Sequence, residues 1–294
     1  MNGWDFGACA QLNGMRMHKK KPTEAITLSP FLKWAGGKRW FADRWLQLIP
    51  NNFNRYIEPF VGSGAVYFSL LPKAAILSDL NADLINTYQA VRDDPAGVER
   101  LLQEHDKNHD KVYYYQTRAK KPKSSLERAA WLIYLNRTCW NGLYRVNQRN
   151  EFNVPIGTKT HVILPNDDFL SVSAALQKTQ LFVQDFEETI DLAGKGDFIF
   201  VDPPYTVKHN LNGFLKYNDK MFSWCDQIRL RDSVVDAVRR GAMVLITNAN
   251  HQSIRDLYDG IGKYTILKRA SVLAASSTHR SQTEELVIRT WIGG

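Results

Sequence analysis

Two stretches of the chain alternate between short apolar runs and helix-like segments, and this alternation limits the fold more than any other feature. In the first, YIEPF at 56–60 is typical of a strand, VGSG forms a glycine turn, and residues 65–71 are helix-like. AAILSD at 74–79 then predicts a second strand that ends on Asp79. Strand, turn, helix and strand make a βαβ unit, which implies an α/β fold with a parallel sheet.

The same alternation returns late in the chain. DFIFVD at 197–202 is typical of a strand, and Ser223 with Asp226 resembles the capping box that begins a helix. Gly241 ends that helix, AMVLITN at 242–248 predicts another strand, and ELVIRTWI at 285–292 alternates like a final strand. Both ends of the chain are therefore expected to contribute to one sheet.

The glycine turn is a candidate ligand site. Gly62 and Gly64 permit a sharp turn and a close approach of a ligand to the backbone. Asp79 ends the next strand, where its carboxylate can accept hydrogen bonds from ribose hydroxyls. Position 67 is tyrosine, so the third glycine of G-x-G-x-x-G is missing, and we expect a nucleoside site without a pyrophosphate cradle. The alternative is an ordinary βα turn with Asp79 as a helix cap.

WAGGKR at 34–39 is not a phosphate-binding loop. The motif G-x-x-x-x-G-K-[ST] needs a glycine at position 32 and a hydroxyl at 39, and this chain has Leu32 and Arg39. Trp34 is then either a core aromatic or a wall against which a purine or sulfonium packs. Lys38, taken alone, is expected to be a solvated charge.

DPPY at 202–205 follows a predicted strand, and ligands of open α/β sheets bind at the carboxyl ends of strands. An exocyclic amine is a poor nucleophile because its lone pair is delocalised into the ring. Asp202 and the carbonyl of Pro203 can each accept one N–H of such an amine, while Tyr205 stacks on the base. Pro203 and Pro204 stiffen the backbone, so catalysis would be mainly positioning. The alternative is a structural Pro-Pro turn capped by aspartate.

Between these blocks the sequence changes character. Residues 85–170 contain helical stretches rich in charges and tyrosines, and then WNGLYRV and EFNVPI, which predict a hairpin joined by NQRN. We therefore expect a tail at 1–24, an α/β domain built from 25–84 and 171–294, and a smaller, mainly helical domain at 85–170 that carries the hairpin.

The composition indicates the class of binding partner and the cellular compartment. A formal charge of +8 and a pI near 9.3 favour a polyanionic partner. No apolar run approaches a membrane span, and the first 24 residues lack the apolar region of a secretory signal. Cys9, Cys139 and Cys225 are far apart, so we expect neither a disulfide framework nor a metal site, and a cytoplasmic location.

Five motifs together resemble one family, the Dam-type (D12 class, alpha group) DNA adenine-N6 methyltransferases. They occur in the family's order and cover the chain from about residue 30 to its end: FLKWAGGK (31–38), EPFVGSG (58–64), LSDLNADLI (77–85), NGLYRVNQRNEFNVPIG (141–157) and DPPY (202–205). The resemblance implies a Rossmann-like domain that uses S-adenosylmethionine, with a DNA target-recognition domain inserted before DPPY.

The resemblance also implies roles for individual residues. Asp202, Pro203, Pro204 and Tyr205 would be catalytic. The residues that would contact the cofactor are Trp34, Lys38, Phe60, Gly62, Gly64, Asp79 and Asp202.

The implied DNA-binding residues surround the predicted hairpin. Lys33 would lie near a base edge, and the hairpin would enter a groove with Asn141, Leu143, Arg145 and Pro155. Arg145 would contact guanine O6 and N7 as a bidentate pair, or else a phosphate. Trp140 would stack in the gap left by a flipped base, or else belong to the core. The basic residues expected to contact phosphates are Arg137, Arg149, Lys159 and the 118–123 run.

The predicted reaction is direct in-line transfer of methyl from S-adenosylmethionine to N6 of a flipped adenine in double-stranded DNA, at GATC or another site that begins GA. We expect a monomeric bacterial or phage protein with a cognate restriction nuclease as partner. The alternatives are a methyltransferase acting on an RNA or protein amine and a catalytically inactive DNA-binding regulator. A zinc deaminase is excluded because no H-x-E and P-C-x-x-C set is present. The segments after DPPY and before the last strand, 206–222 and 274–284, depart from the family pattern, and their contacts are not assigned.

Overall fold

The computed structural model describes residues 28–147, 149, 151–208, 222–270 and 282–291, and the 1–24 tail and most of 206–222 lie outside that range. The described strands are β1 (Tyr56–Glu58), β2 (Ala75–Asp79), β3 (Thr179–Val183), β4 (Phe198–Val201), β5 (Met243–Ala249), β6 (Lys263–Ala270) and β7 (Gln282–Arg289). They form one seven-stranded sheet in the order β3-β2-β1-β4-β5-β7-β6. β1 to β5 are parallel, and β7 lies antiparallel between β5 and β6. The predicted α/β fold with a parallel sheet is confirmed.

Both faces of this sheet are covered, as parallel sheets require. Side chains alternate along each strand, so Phe198 and Phe200 of β4 belong to one apolar cluster and Ile199 and Val201 to another. Helices supply the rest of each cluster. The central strands β4 and β5 therefore read as largely apolar runs.

The described helices fall into two groups. α1 to α7 contribute to the cluster that contains Phe200, and α8 to α10 contribute to the cluster that contains Val201. Their bounds are α1 (Arg39–Arg44), α2 (Ala65–Leu70), α3 (Ala82–Asp93), α4 (Pro95–Asn108), α5 (Lys111–Ala119), α6 (Ser125–Thr138), α7 (Phe169–Leu176), α8 (Phe186–Asp191), α9 (Trp224–Arg239) and α10 (Gln252–Leu257). α9 begins with the predicted capping box between Ser223 and Asp226.

The segment between α3 and α7 is mainly helical and shares its core with the sheet. Trp131 of α6 and Leu102 of α4 belong to the same apolar cluster as Phe200. The proposed domain boundaries, 84/85 and 170/171, fall inside α3 and α7, which are continuous helices. A separate recognition domain at 85–170 therefore stays a prediction.

The predicted hairpin is present as two antiparallel segments without regular strands. Isolated bridges join Val146 to Phe152 and Cys139 to Ile156. The Asn153 N–H donates to the carbonyl of Arg145 at 3.1 Å. The hairpin root thus lies directly after α6.

Three further observations concern the described part of the chain. None of its helices is both long and apolar enough to cross a membrane. Its His, Cys, Asp and Glu side chains form no group of three or more that is arranged to hold a metal ion. Cys139 is buried and Cys225 exposed, and both are free thiols.

Candidate active site

The sheet order reverses between β1 and β4, and the two best candidate motifs follow these two strands. In open α/β sheets, ligands bind at such a switch point, beyond the carboxyl ends of the strands. The glycine turn 61–64 follows β1, and Asp202 follows β4. Neighbouring strands thus bring together two motifs that are far apart in the sequence.

The WAGGK loop lies against the glycine turn. Gly62 and Gly64 have φ of +46° and +63°, a region that favours glycine. A Cβ at Gly62 would lie 2.8 Å from Cδ1 of Trp34, and one at Gly37 would lie 3.2 Å from Oγ of Ser63. The close contact between loop and turn therefore depends on the absence of side chains at both glycines.

The Asp79 carboxylate holds the glycine turn through a hydrogen bond to its backbone. Its Oδ2 accepts the N–H of Gly62 at 3.3 Å, and its Oδ1 accepts the N–H of Asn81 at 3.0 Å. Burial raises the pKa of Asp79 to about 6. The helix cap of α3 is Asn81, whose Oδ1 accepts the N–H groups of Asp83 and Leu84. The alternative assignment of Asp79 as that cap is therefore wrong.

Asp202 is held by two donors, and both act on the same oxygen. Lys38 Nζ lies 2.8 Å from Oδ1, and Thr247 Oγ1 donates to Oδ1 at 2.7 Å. Among the described residues, no hydrogen bond to Oδ2 is present. Lys38 is only 4% exposed and also donates to the Gly36 carbonyl at 3.0 Å, so the expectation of a solvated lysine is wrong. Burial raises the pKa of Asp202, and the adjacent Lys38 ammonium opposes that shift.

A second carboxylate, which the sequence motifs did not indicate, closes this cluster. Glu285 of β7 is 1% exposed, and its Oε2 accepts the hydroxyl of Tyr205 at 2.8 Å. The same oxygen lies 3.6 Å from Lys38 Nζ, and Nζ lies 5.0 Å from the centre of the Tyr205 ring. The sequence gives one indication of this residue, a glutamate at the start of the apolar run ELVI. A charged residue in a buried strand is rare unless it is paired, so a partner could be expected there.

Phe60 and Glu58 complete the end of β1. The Phe60 ring stacks on Phe186 with centroids 5.5 Å apart and meets Phe222 edge-on, so it packs towards α8. Glu58 is buried and accepts the hydroxyl of Tyr56 at 2.9 Å. Burial raises the pKa of Glu58 well above its usual range. Glu58 was not among the predicted site residues.

The root of the hairpin is bonded to the WAGGK loop, which also packs against the glycine turn. The Asn136 side chain accepts the N–H of Lys33 at 2.8 Å and donates to the carbonyls of Lys33 and Gly142 at 2.8 and 3.2 Å. Trp34 stacks on Tyr144 of the hairpin, with centroids 5.2 Å apart. Trp34 is thus half-buried between the hairpin and the glycine turn.

Several of the predicted DNA-binding residues in and beside the hairpin are exposed. Trp140 is 53% exposed, so the alternative of a core residue is wrong. Asn141 (φ +56°), Arg145 and Pro155 are also exposed, while Leu143 is half-buried against the core. Arg145 Nε donates to the Asn153 side chain at 2.8 Å.

Arg137 was expected to contact a phosphate, and the structure contradicts this. Its guanidinium is 3% exposed and bonds both oxygens of Asp167, at 2.6 and 2.7 Å. It also donates to the carbonyls of Val162 and Phe31. With these acceptors Arg137 ties α6 to two loops, and it is not available to DNA.

The basic run at 118–123 is also partly engaged within the protein. Arg118 donates to the Val154 carbonyl at 3.0 Å, and Lys121 pairs with Asp83 at 2.6 Å. Lys120 and Lys123 are exposed, as are Arg149 and Lys159. These four residues remain candidates for phosphate contacts.

Comparison with known proteins identifies similar sequences over most of the chain. A family model described as D12 class N6 adenine-specific DNA methyltransferase matches residues 34–274. The Type II methyltransferase M1.LlaDCHI of Lactococcus lactis subsp. cremoris is 34% identical and covers 90% of this chain and 96% of its own length. The Type II methyltransferase M.MjaIII of Methanocaldococcus jannaschii is 33% identical, with 90% and 100% covered. The DNA adenine methylase of Haemophilus influenzae is 32% identical, with 93% and 97% covered.

Proposed function

Because the chain belongs to the D12 class N6 adenine-specific DNA methyltransferase family, it methylates adenine N6 in DNA, and we propose that it does so at the corner formed by Asp202 to Tyr205. The family implies S-adenosylmethionine as the methyl donor. When bound, this cofactor supplies an electrophilic methyl group on a sulfonium. The fold is the Rossmann-like methyltransferase fold, whose order begins 3-2-1-4-5.

The residues at the switch point fit such a cofactor. Asp79 ends β2 with a carboxylate that can accept a ribose hydroxyl, and the turn beside it carries no side chain at Gly62. Trp34 provides an aromatic wall next to that turn. We propose that these three residues hold the cofactor, with Gly64 shaping the turn and Lys38 and Asp202 at its reactive end. Phe60, whose ring is held by Phe186, is proposed to contact the cofactor beside the glycine turn.

The observation that carries the catalytic proposal is the asymmetry of the Asp202 carboxylate. Oδ1 is anchored by Lys38 and Thr247, whereas no hydrogen bond to Oδ2 is present among the described residues. We propose that Oδ2 accepts one N–H of adenine N6 and that the Pro203 carbonyl accepts the other. The amine lone pair then points at the methyl group, and transfer is direct and in line. Pro204 keeps the corner stiff, and the Tyr205 ring stacks on the base.

Adenine N6 lies inside the duplex, so the proposed reaction requires a flipped base. The exposed Trp140 supports this proposal, because an aromatic ring at the hairpin can stack in the gap that the base leaves. The exposed fork of Arg145 is suited to guanine O6 and N7, which favours GATC or another site that begins GA. Lys33, Asn141, Leu143 and Pro155 are proposed to line the same groove.

The proposed partner is double-stranded DNA, read by a monomer. The Type II names of two relatives support a restriction-modification role, and a cognate nuclease is proposed on that ground. RNA and protein amines are not favoured as substrates, because the family and its relatives are named for DNA.

The catalytic proposal is tested by Asp202→Ala, with Asp191→Ala as a matched control on the exposed surface of α8. Asp202→Ala should abolish methylation while binding of DNA, measured by fluorescence anisotropy, survives. Asp191→Ala should keep wild-type turnover. Methylation by the Asp202→Ala protein would show that the catalytic assignment is wrong.

A further inference from the structure

The network around Asp202 contains a buried carboxylate for which the methylation chemistry proposed above assigns no role. The Tyr205 hydroxyl donates a hydrogen bond to Glu285, and the Thr247 hydroxyl donates one to Asp202. The Lys38 ammonium forms ion pairs with both carboxylates. On the basis of the proposed function, we propose that Glu285 is a positioning residue that sets the plane of the Tyr205 ring and the place of Lys38.

The backbone of Glu285 is held on both sides. In β7 it pairs with Ala249 of β5 and with Leu267 of β6, so its position is fixed by two neighbouring strands. A carboxylate that is 1% exposed is costly unless it has polar partners. The partners of Glu285 include Tyr205 of the catalytic corner and Lys38, which also pairs with Asp202, and this location gives the buried charge a functional reason.

Glu285 provides the second fixed point that an oriented ring needs. The backbone of Tyr205 is restrained by the two prolines before it, but a tyrosine ring can still rotate about its own side-chain bonds. The bond of 2.8 Å from its hydroxyl to Glu285 fixes the far end of the ring. Stacking on a base needs a defined ring plane, so this bond matters for turnover more than for binding.

Glu285 also competes with Asp202 for the Lys38 ammonium. Nζ lies 2.8 Å from Asp202 and 3.6 Å from Glu285, so two carboxylates share one ammonium. Without Glu285, Lys38 would keep only Asp202 and the Gly36 carbonyl as partners among the described residues, and its place beside the Asp202 carboxylate would shift.

The experiment compares Glu285→Leu and Glu285→Gln with Glu284→Gln. Glu284 is the adjacent residue of β7, exposed and bonded to Asn250, and serves as the matched control. Glu285→Leu should lower kcat by about 100-fold, the effect of a misplaced group, with the Kd for cofactor and DNA nearly unchanged. Glu285→Gln keeps an acceptor for the Tyr205 hydroxyl and should recover part of kcat. It also keeps the test valid if the leucine variant does not fold.

A double-mutant cycle shows whether the effect passes through Tyr205. Tyr205→Phe removes the hydroxyl, so combining it with Glu285→Leu should lower kcat less than the product of the two single effects. Wild-type kcat in Glu285→Leu would overturn the proposal, and so would effects that multiply fully. If the wild-type protein itself forms no N6-methyladenine, the proposed function fails instead, and the two failures are thus distinguished.

Discussion

Substituting Gly62 by alanine tests the contact between the glycine turn and the WAGGK loop. The new Cβ would lie 2.8 Å from Cδ1 of Trp34, and Trp34 is itself stacked on Tyr144. Normal carbon contacts are about 3.5–4.0 Å, so the Trp34 ring must retreat by about 0.7–1.2 Å. The matched control is Gly260→Ala, because Gly260 also has a positive φ, +74°, but has open space at its Cβ position.

The two substitutions share one cost and differ in another. An alanine in the left-handed region costs about 1–2 kcal/mol at either position. Only Gly62→Ala also disturbs the stacking of Trp34 on Tyr144, which is worth about 0.5–1.5 kcal/mol. A protein of 294 residues loses about 1.6 °C of Tm per kcal/mol, so Gly62→Ala should melt below Gly260→Ala by about 1–2 °C. If the shifted Trp34 is a wall of the cofactor site, affinity for S-adenosylmethionine should fall by about 2- to 12-fold.

Differential scanning fluorimetry and isothermal titration calorimetry measure these two quantities. Gly260→Ala should bind the cofactor like the wild type. Equal Tm values for the two variants, together with wild-type cofactor affinity in Gly62→Ala, would refute the assignment of Trp34 and Gly62 to one site.

Three further predictions concern charged residues. The pKa of Asp79 is raised in the folded state, so its contribution to the free energy of unfolding should fall as pH rises from its usual value of 3.8 to about 6, and urea titrations of Asp79→Asn should lack this component. Arg137→Ala leaves Asp167 without its partner and should cost about 3–5 kcal/mol of stability, with no change in the salt dependence of DNA binding. Arg145→Ala should reduce discrimination at one guanine by about 1–3 kcal/mol in competition assays, whereas Arg149→Ala should weaken binding to all sequences equally. Uniform weakening in Arg145→Ala would mark it as a phosphate contact.

The strands could be predicted where both faces are buried. β1, β2, β4 and β5 are mainly apolar, and β7 alternates, so all five give a clear local pattern. β3 and β6 are the two edge strands and were not predicted. β6 includes Lys263 and Lys268, and edge strands commonly carry such charges, which hide the pattern. The antiparallel placement of β7 between β5 and β6 depends on long-range packing that no local pattern contains.

The site could be predicted where a motif carries its own chemistry. DPPY and the glycine turn each indicate a ligand, and the fold brings them to neighbouring strands. Lys38 and Arg137 show the limit of this reasoning. The sequence around a basic residue does not show whether that residue will be buried beside a distant carboxylate. Lys38 is buried beside Asp202 in this way, and Arg137 beside Asp167. Glu285 escaped prediction for the same reason.

Asp202 is proposed to direct the N6 amine of adenine in DNA to the methyl group of the cofactor. The most direct measurement incubates duplex DNA that contains all short sequences with S-adenosylmethionine labelled in its methyl group, and then identifies the labelled nucleosides by mass spectrometry. The label should be in N6-methyladenine with the wild-type protein, and should be absent with Asp202→Ala under conditions in which that variant still binds DNA. Label in cytosine, no label with the wild type, or N6-methyladenine formed by Asp202→Ala would contradict the account.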